Sequence, residues 1–358
     1  VSYSLALGPF HPAWRGAQRF VFRINGERIS DIEYYDGFNE RGCAERLPRV
    51  ELSRALLLVS HVCGTCSVAH SLAFCQALER LAGLSVSDRA AFLRSIIAEF
   101  ERVASHLDAS ANLLNIIGLE SRARELFEQR EVVLEGFHTL TGARMAPDIL
   151  LPGGLRHDLS AANRESLLVL LPKINRALYR FIDTIIDNRP LLARVFEVGA
   201  LPRTAAEQFG VRGPLARASG ITRDVRSDQP YAAYAKLNFQ PITQEGGDIY
   251  ARLVQLLLEA YESVKLIEQA LEQLPSGDAF GDLPASLPAG SGTGVVEGPR
   301  GLIRYAVTSD GQRISNVQID APRQLDRLLA RTLLTGALID NAVAIIASTD
   351  HCTACAER

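Results

Sequence analysis

The sequence predicts an α+β fold that is mainly helical, with a core of long helices and small β-hairpins at the N-terminus and in the C-terminal half. Three observations predict it. Long stretches repeat apolar residues at helical spacing. Two short stretches alternate apolar and polar residues beside turn signals. The longest Gly- and Pro-rich segments fall between the helical stretches.

The elements follow in order. Phe20, Phe22 and Ile24 alternate with polar residues, Asn25-Gly26 is a hairpin turn signal, and Ile29 to Tyr35 returns as the partner strand. Helical patterning begins after Pro48. Ser87 is an N-cap, followed by Phe92, Ile96, Phe100, Val103 and Leu107 on one face. Glu99 and Arg102 read as a helical ion pair on the polar face, and His106 as a packed helix histidine. A second long helix covers Ala161 to Val195, interrupted or kinked at Pro172. Residues 198–248 read as a long irregular connection, a kind of segment that is often functional. Leu253, Leu256, Ala260, Val264, Ile267 and Leu271 form another helical stripe, ending near Pro275. Residues 276–300 read as a loop, Leu302 to Ile319 as a second hairpin turning at Asp310-Gly311, and Pro322 to Gly336 as a helix.

Composition excludes some functions. The chain of 358 residues is 47% hydrophobic and 22% charged, which is ordinary for a globular protein. The net charge is −3 and no block of Lys and Arg occurs, so no nucleic-acid partner is expected. No leader-like segment opens the sequence, and no apolar run approaches the ~18 residues of a membrane span. A soluble chain is expected, tied to a membrane only through partners.

Six cysteines are present: Cys43, Cys63, Cys66, Cys75, Cys352 and Cys355. Without an export signal, paired thiols are more often metal or redox sites than disulfides. The segment HVCGTCSVAH (61–70) carries one Cys-x-x-Cys, and DHCTACAER (350–358) carries another. If Cys63 to His70 opens a helix, Cys63, Cys66 and His70 share one face. Cys75 points away and reads as a small core residue. Four cysteines suit a structural zinc, but zinc ribbons keep their half-sites ~15–20 residues apart. Here residues 67–351 intervene. Thiolates also suit nickel and iron.

The first segment resembles the Arg-x-Cys-Gly-x-Cys-x-x-x-His signature of [NiFe]-hydrogenase large subunits. The second resembles Asp-Pro-Cys-x-x-Cys-x-x-His/Arg. Other stretches are similar to the group 4, energy-converting branch, which is related to the large catalytic-core subunit of respiratory complex I. They include Gly8-Pro-Phe-His11-Pro12, Thr141-Gly-Ala-Arg144-Met145, residues 210–220, Asp228-Gln-Pro-Tyr231 and Gly298-Pro-Arg300-Gly301. The resemblance spans the whole chain.

It implies one hydrogenase large-subunit-like domain over 1–358, with a hairpin region at 1–40 and a helical body at 41–358. It implies a nickel–iron centre whose iron carries carbon monoxide and cyanide. Cys63 and Cys352 would be terminal nickel ligands, and Cys66 and Cys355 would bridge the two metals. His70 would donate a hydrogen bond toward a bridging sulfur. Arg300 would stand over the open metal position, with Asp350 orienting it or a neighbouring group. His11 and Pro12 match a loop that helps form the quinone pocket in complex I. Ending at Arg358, the chain looks like the form left after removal of a C-terminal tail. Implied partners are a small subunit with a [4Fe–4S] cluster, a ferredoxin-like carrier, and complex I-like hydrophilic and membrane subunits. The implied location is the cytoplasmic face of a membrane.

Three departures concern protons. Where the resembled family has the glutamate of Arg-Gly-x-Glu, this chain has Arg41-Gly42-Cys43-Ala44-Glu45. Glu45 serves as the proton acceptor only if the backbone bulges; otherwise Cys43 is the relay. His61 and His351 replace the usual Arg and Pro. Two other readings stand beside the hydrogenase: a complex I-like subunit serving a quinone or another acceptor, and a zinc-stapled structural subunit.

Overall fold

A computed structural model describes residues 2–358. The N-terminal sheet pairs β1 (Ser2–Leu7), β2 (Arg19–Asn25) and β3 (Arg28–Tyr35) antiparallel in that order. Phe20, Phe22 and Ile24 turn inward as their alternation requires, and Tyr34 packs on Phe20. β1 extends the expected hairpin by one strand. It has no buried residue, so burial imposes no alternation to read.

The body begins with α1 (Cys43–Arg46), α2 (Leu52–Ser60), α3 (Ser67–Ala82), α4 (Asp88–Ile116) and α5 (Glu120–Thr141). The Ser87 side chain caps α4, accepting from the Ala90 N–H at 3.1 Å. A two-stranded ribbon, β4 (Leu150–Leu151) and β5 (Gly154–Leu155), leads to α6 (Ala161–Ile186) and α7 (Arg189–Val195). Pro172 lies inside α6 without dividing it, because it faces solvent. The break comes at Asn188, which caps α7. The irregular stretch contains the short helices α8 (Arg203–Gln208), α9 (Gly213–Arg217) and α10 (Val225–Asp228), and a 3-10 turn at Tyr234–Lys236. Then α11 (Ile249–Glu272) completes a bundle in which α4 packs against α5 and α11, and α6 closes the ring.

The second sheet has three strands rather than two: β6 (Ala289–Gly298), β7 (Gly301–Asp310) and β8 (Ile314–Asp320). β6 occupies much of the expected loop. Its glycines, which read as loop signals, allow close packing on α3. A Cβ at Gly294 would lie 1.9 Å from the Ala73 carbonyl oxygen, and one at Gly292 would lie 2.0 Å from that of Ala77. The last helices are α12 (Arg327–Leu334), α13 (Ala342–Ser348) and α14 (Thr353–Ala356).

Glu99 and Arg102 do not lie on a polar face. Both are 1% exposed and join a buried ionic network. Arg226 pairs with Glu99 at 3.1 Å and with Asp224 at 2.7 Å. Arg217 pairs with Glu259 at 2.7 Å, Glu297 at 2.9 Å and Asp224 at 3.3 Å. His106 reaches Glu259 at 3.2 Å. The pairing offsets the large cost of burying these charges. Helical spacing showed that Glu99 and Arg102 meet, but their other partners come from residues more than a hundred positions away. Arg102 also donates to the Glu297 and Gly298 carbonyls at 2.6 and 2.9 Å, which fixes the end of β6.

Candidate metal centre

Cys63 and Cys66 lie on the loop between α2 and α3, and Cys66 is the residue that caps α3. The helix begins only at Ser67, so the thiols converge through loop geometry rather than along a helical face. Cys352 and Cys355 lie on the segment that follows α13. Asp350 turns that segment inward with φ 49°, in the left-handed region that Asp tolerates better than most residues. Arg41 clasps the two segments together, donating to the Val62 and Ala354 carbonyls at 2.7 Å each. Glu357 accepts from the Gly37 and Asn39 N–H groups at 2.9 and 2.6 Å.

All four thiols are buried and unpaired by disulfides. The sulfurs of Cys63, Cys66 and Cys355 lie within 4.8 Å of one another, and Cys63 Sγ lies 3.6 Å from Cys352 Sγ. Hydrogen bonds from Cys355 and Cys63 hold the Cys66 thiol well below its ordinary value, with the Arg300 guanidinium adding to the effect. A hydrogen bond with Cys352 lowers Cys63. Cys75 stands apart in the core, its thiol pushed up to about 12 by burial.

Arg300 occupies the two-residue turn between β6 and β7. Its guanidinium donates to Cys66 Sγ at 3.2 Å, Thr65 Oγ1 at 3.0 Å and Asp350 Oδ1 at 2.9 Å. Burial opposes its charge, but Asp350 and the Cys66 thiolate hold it well above the ordinary arginine value. His70 lies one helical turn into α3. Its Nε2 is 3.5 Å from Cys355 Sγ and its Nδ1 is 2.9 Å from the Tyr305 hydroxyl. Burial pushes His70 down to about 3, so the ring is neutral. A neutral ring that donates from Nε2 to sulfur accepts the Tyr305 hydroxyl at Nδ1.

Thus Arg300, Asp350, His70 and the four cysteines come together. Glu45 does not. It is exposed on α1, whose regular turn leaves no inward bulge. Cys43 is half-buried, and His61 is exposed at the end of α2, its Nδ1 2.8 Å from the Leu57 carbonyl oxygen. His351 is buried and pushed down to about 4 by burial. His11 stacks on Trp14 at 4.2 Å. Sequence reasoning missed Tyr305, Thr65 and Arg41. Only Arg41 had a readable signal, as the first residue of the Arg-Gly motif searched for its glutamate.

A helical body that closes two distant Cys-x-x-Cys segments onto one buried sulfur cluster has the donor set of a thiolate metal or redox site. Comparison with known proteins supplies the family. Residues 117–286 match the family described as respiratory-chain NADH dehydrogenase, 49 kDa subunit. The whole chain is 31% identical to the carbon monoxide-induced hydrogenase of Rhodospirillum rubrum, covering 99% of that protein. It is also 31% identical, over 97% of its length and 95% of the relative, to an NADH-quinone oxidoreductase subunit of Clostridium beijerinckii. A chain of the membrane-bound sulfane sulfur reductase, an archaeal respiratory membrane complex, matches with a TM-score of 0.93. Identity there is 26%, covering 100% of this chain and 98% of the other. The chain belongs to the family of the complex I 49 kDa subunit and its related hydrogenase subunits. Among the described residues, no helix is long and apolar enough to cross a membrane.

Proposed function

We propose that the chain is the catalytic subunit of a group 4-type [NiFe]-hydrogenase, working within a complex I-like membrane-associated complex. The observation that carries this reading is the convergence of four buried thiols from the two ends of the chain, with the Arg300 guanidinium on one of them. Four soft sulfur donors fit nickel and iron. Cys63, Cys66, Cys352 and Cys355 would hold such a centre. Bound there, the centre would supply the redox chemistry that interconverts dihydrogen with protons and electrons.

The chain's own groups have definable tasks. Arg300 donates to Cys66 and His70 to Cys355, so two of the four sulfurs each receive one hydrogen bond from a fixed donor. Asp350 and Thr65 fix the guanidinium in place. The surrounding apolar core excludes bulk water. All the paired cysteines are taken by this one cluster, so electrons would pass to a partner small subunit with a [4Fe–4S] cluster. A ferredoxin-like carrier and complex I-like membrane subunits would complete the assembly. The chain would then lie on the cytoplasmic face, held there by those partners.

Infrared spectroscopy of the purified complex, paired with elemental analysis, tests the reading. Bands of metal-bound carbonyl and cyanide are expected, with one nickel and one iron per chain. Zinc alone in active material would end it. Full quinone-linked activity after loss of all four thiols would favour the quinone-type alternative that the NADH-quinone oxidoreductase relative represents.

A further inference from the structure

We propose that Glu101 carries protons between the thiol cluster and solvent, along a route of cavity water beside Thr65, then Glu101, then Asp108 at the surface. The inference rests on the nickel–iron reading for the reaction that produces or consumes those protons.

The route is built from side chains on α4 and the cysteine loop. Glu101 is 8% exposed. Its two carboxylate oxygens accept the Val68 and Ala69 N–H groups of α3 at 2.8 and 3.1 Å. A carboxylate has about four lone-pair sites, so each oxygen keeps one free for a proton. Glu101 also borders a cavity of about 30 Å³, lined by Gly64, Thr65, Ser105, Asp108 and Arg130 among others. One water needs roughly 10–15 Å³ of such space, so the cavity has room for one or two. Ser105, 2% exposed, supplies an independent sign of water: its hydroxyl is buried and has no partner in the protein. Of the polar groups around this cavity, Ser105 lacks a partner that a water would supply, and Glu101 keeps spare acceptor capacity.

On the cluster side, Thr65 Oγ1 lies 3.5 Å from Cys63 Sγ and accepts from Arg300 at 3.0 Å. Protons from the cluster reach the cavity water beside the Thr65 hydroxyl, which Arg300 fixes. The water passes one to Glu101, and Glu101 releases one toward Ser105 and Asp108. One proton enters at the cavity and one leaves at the surface, and the reverse sequence delivers a proton for reduction. Asp108 is half-buried at the outer end, paired with Arg15 and, at 3.3 Å, with Arg130. Burial pushes the Glu101 carboxyl up to about 7, against the two backbone N–H groups. The charged groups that face it are Cys63 from the loop, Arg102 and Asp108 from α4, Arg130 from α5, and Arg144 beyond it. Glu45, placed for the same task by the motif, is exposed on α1.

The competing role for Glu101 is that of a cap for α3, and spectroscopy separates the two. Infrared difference spectra of the intact complex are recorded across pH for wild type, Glu101→Gln, Glu101→Asp and Ser105→Ala. Wild type is expected to show a protonated-carboxyl stretch that shifts in heavy water and disappears as pH rises through neutrality. Glu101→Gln is expected to lose that stretch, keep the carbonyl and cyanide bands, and lower hydrogen turnover on the order of 10²-fold. Its pH profile should flatten, and Glu101→Asp should recover part of the rate. Ser105→Ala leaves the cap intact and is expected to slow turnover with the carboxyl stretch retained. Unchanged turnover and pH profile in both Glu101→Gln and Ser105→Ala would overturn the proposal. So would loss of the carbonyl and cyanide bands in Glu101→Gln, which is the signature of a cap. The spectral regions fail separately: missing carbonyl and cyanide bands in wild type sink the nickel–iron reading, whereas a missing Glu101-dependent carboxyl stretch sinks this one.

Discussion

Arg300 and Asp350 hold each other at two points: Nη2 donates to the carboxylate at 2.9 Å, and Nε donates to the Asp350 carbonyl at 2.9 Å. This leaves Nη1 aimed at Thr65 and Cys66. The planar guanidinium fork uses all three directions at once, which a lysine ammonium on a flexible stem cannot reproduce. Arg300→Lys is therefore expected to keep nickel and iron while lowering turnover severely. Asp350→Asn should act in the same direction but more weakly, because the backbone contact to Nε survives. Metal content and hydrogen turnover measured together check both. Near-normal turnover of Arg300→Lys at full nickel occupancy would remove Arg300 from the site.

Tyr305 fixes the orientation of His70. Removing its hydroxyl leaves Nδ1 buried and unpaired, a loss of about 1–3 kcal/mol. Tyr305→Phe is expected to let the ring turn, weakening the contact to Cys355. Partners of this kind commonly cost 10–100-fold in metal affinity or activity. The check is nickel occupancy together with the position of the carbonyl and cyanide bands. Unshifted bands at full occupancy would show that Tyr305 merely fills space.

Much of this site was legible because cysteine spacing is short-range and chemically specific. Cys63, Cys66, His70, Arg300, Asp350, Cys352 and Cys355 were all found from motifs, and they meet. What the motifs do not encode is which side chain turns inward. Arg-Gly-x-Glu led to Glu45, yet Gly42 starts a regular helical turn that puts Glu45 in solvent. Glu101 carried no motif; it sits on α4 among residues that read as an ordinary helix. Likewise, β6 was hidden by its own glycines, whose role is to let a strand approach α3. Such roles are set by tertiary contact, and a local pattern does not record them.

The buried ionic network should behave as one structural unit. Arg217 neutralises Glu259, Glu297 and Asp224 together. Arg217→Met leaves Glu259 and Glu297 without their guanidinium in the interior, while Asp224 keeps Arg226. Breaking a buried pair from one side typically costs about 3–5 kcal/mol, and here two carboxylates lose their arginine. The variant is expected to lose at least that much stability, or to accumulate no folded protein, as measured by thermal or denaturant unfolding. Wild-type stability in Arg217→Met would mean that water or a proton replaces the arginine readily.

The last prediction concerns stability against pH and isolates Glu101 by comparison with its own glutamine variant. Its folded-state value, about 7, lies above the ordinary 4.5 because burial disfavours the charge. A group raised on folding contributes stability that is fully present below pH 4.5 and is lost as pH rises through about 7. Over that window the unfolded chain gives up the proton first, so folding must keep a proton that solvent no longer favours. A shift of this size corresponds to on the order of 3 kcal/mol. Glu101→Gln carries a neutral side chain of the same shape with no proton to lose; its amide accepts from only one of the two N–H groups, a loss that does not vary with pH. The variant is therefore expected to gain stability relative to wild type between pH 4.5 and 7, with no further change above. Carboxylates held below their ordinary value, such as Glu99 at about 2, have the opposite sign, and their contribution cancels in the comparison. Thermal unfolding of both proteins at several pH values checks it. A wild-type-minus-variant difference that stays flat from pH 4.5 to 7 would show that Glu101 ionises like an exposed glutamate. The carboxyl would then hold no proton at neutral pH to pass toward the thiols.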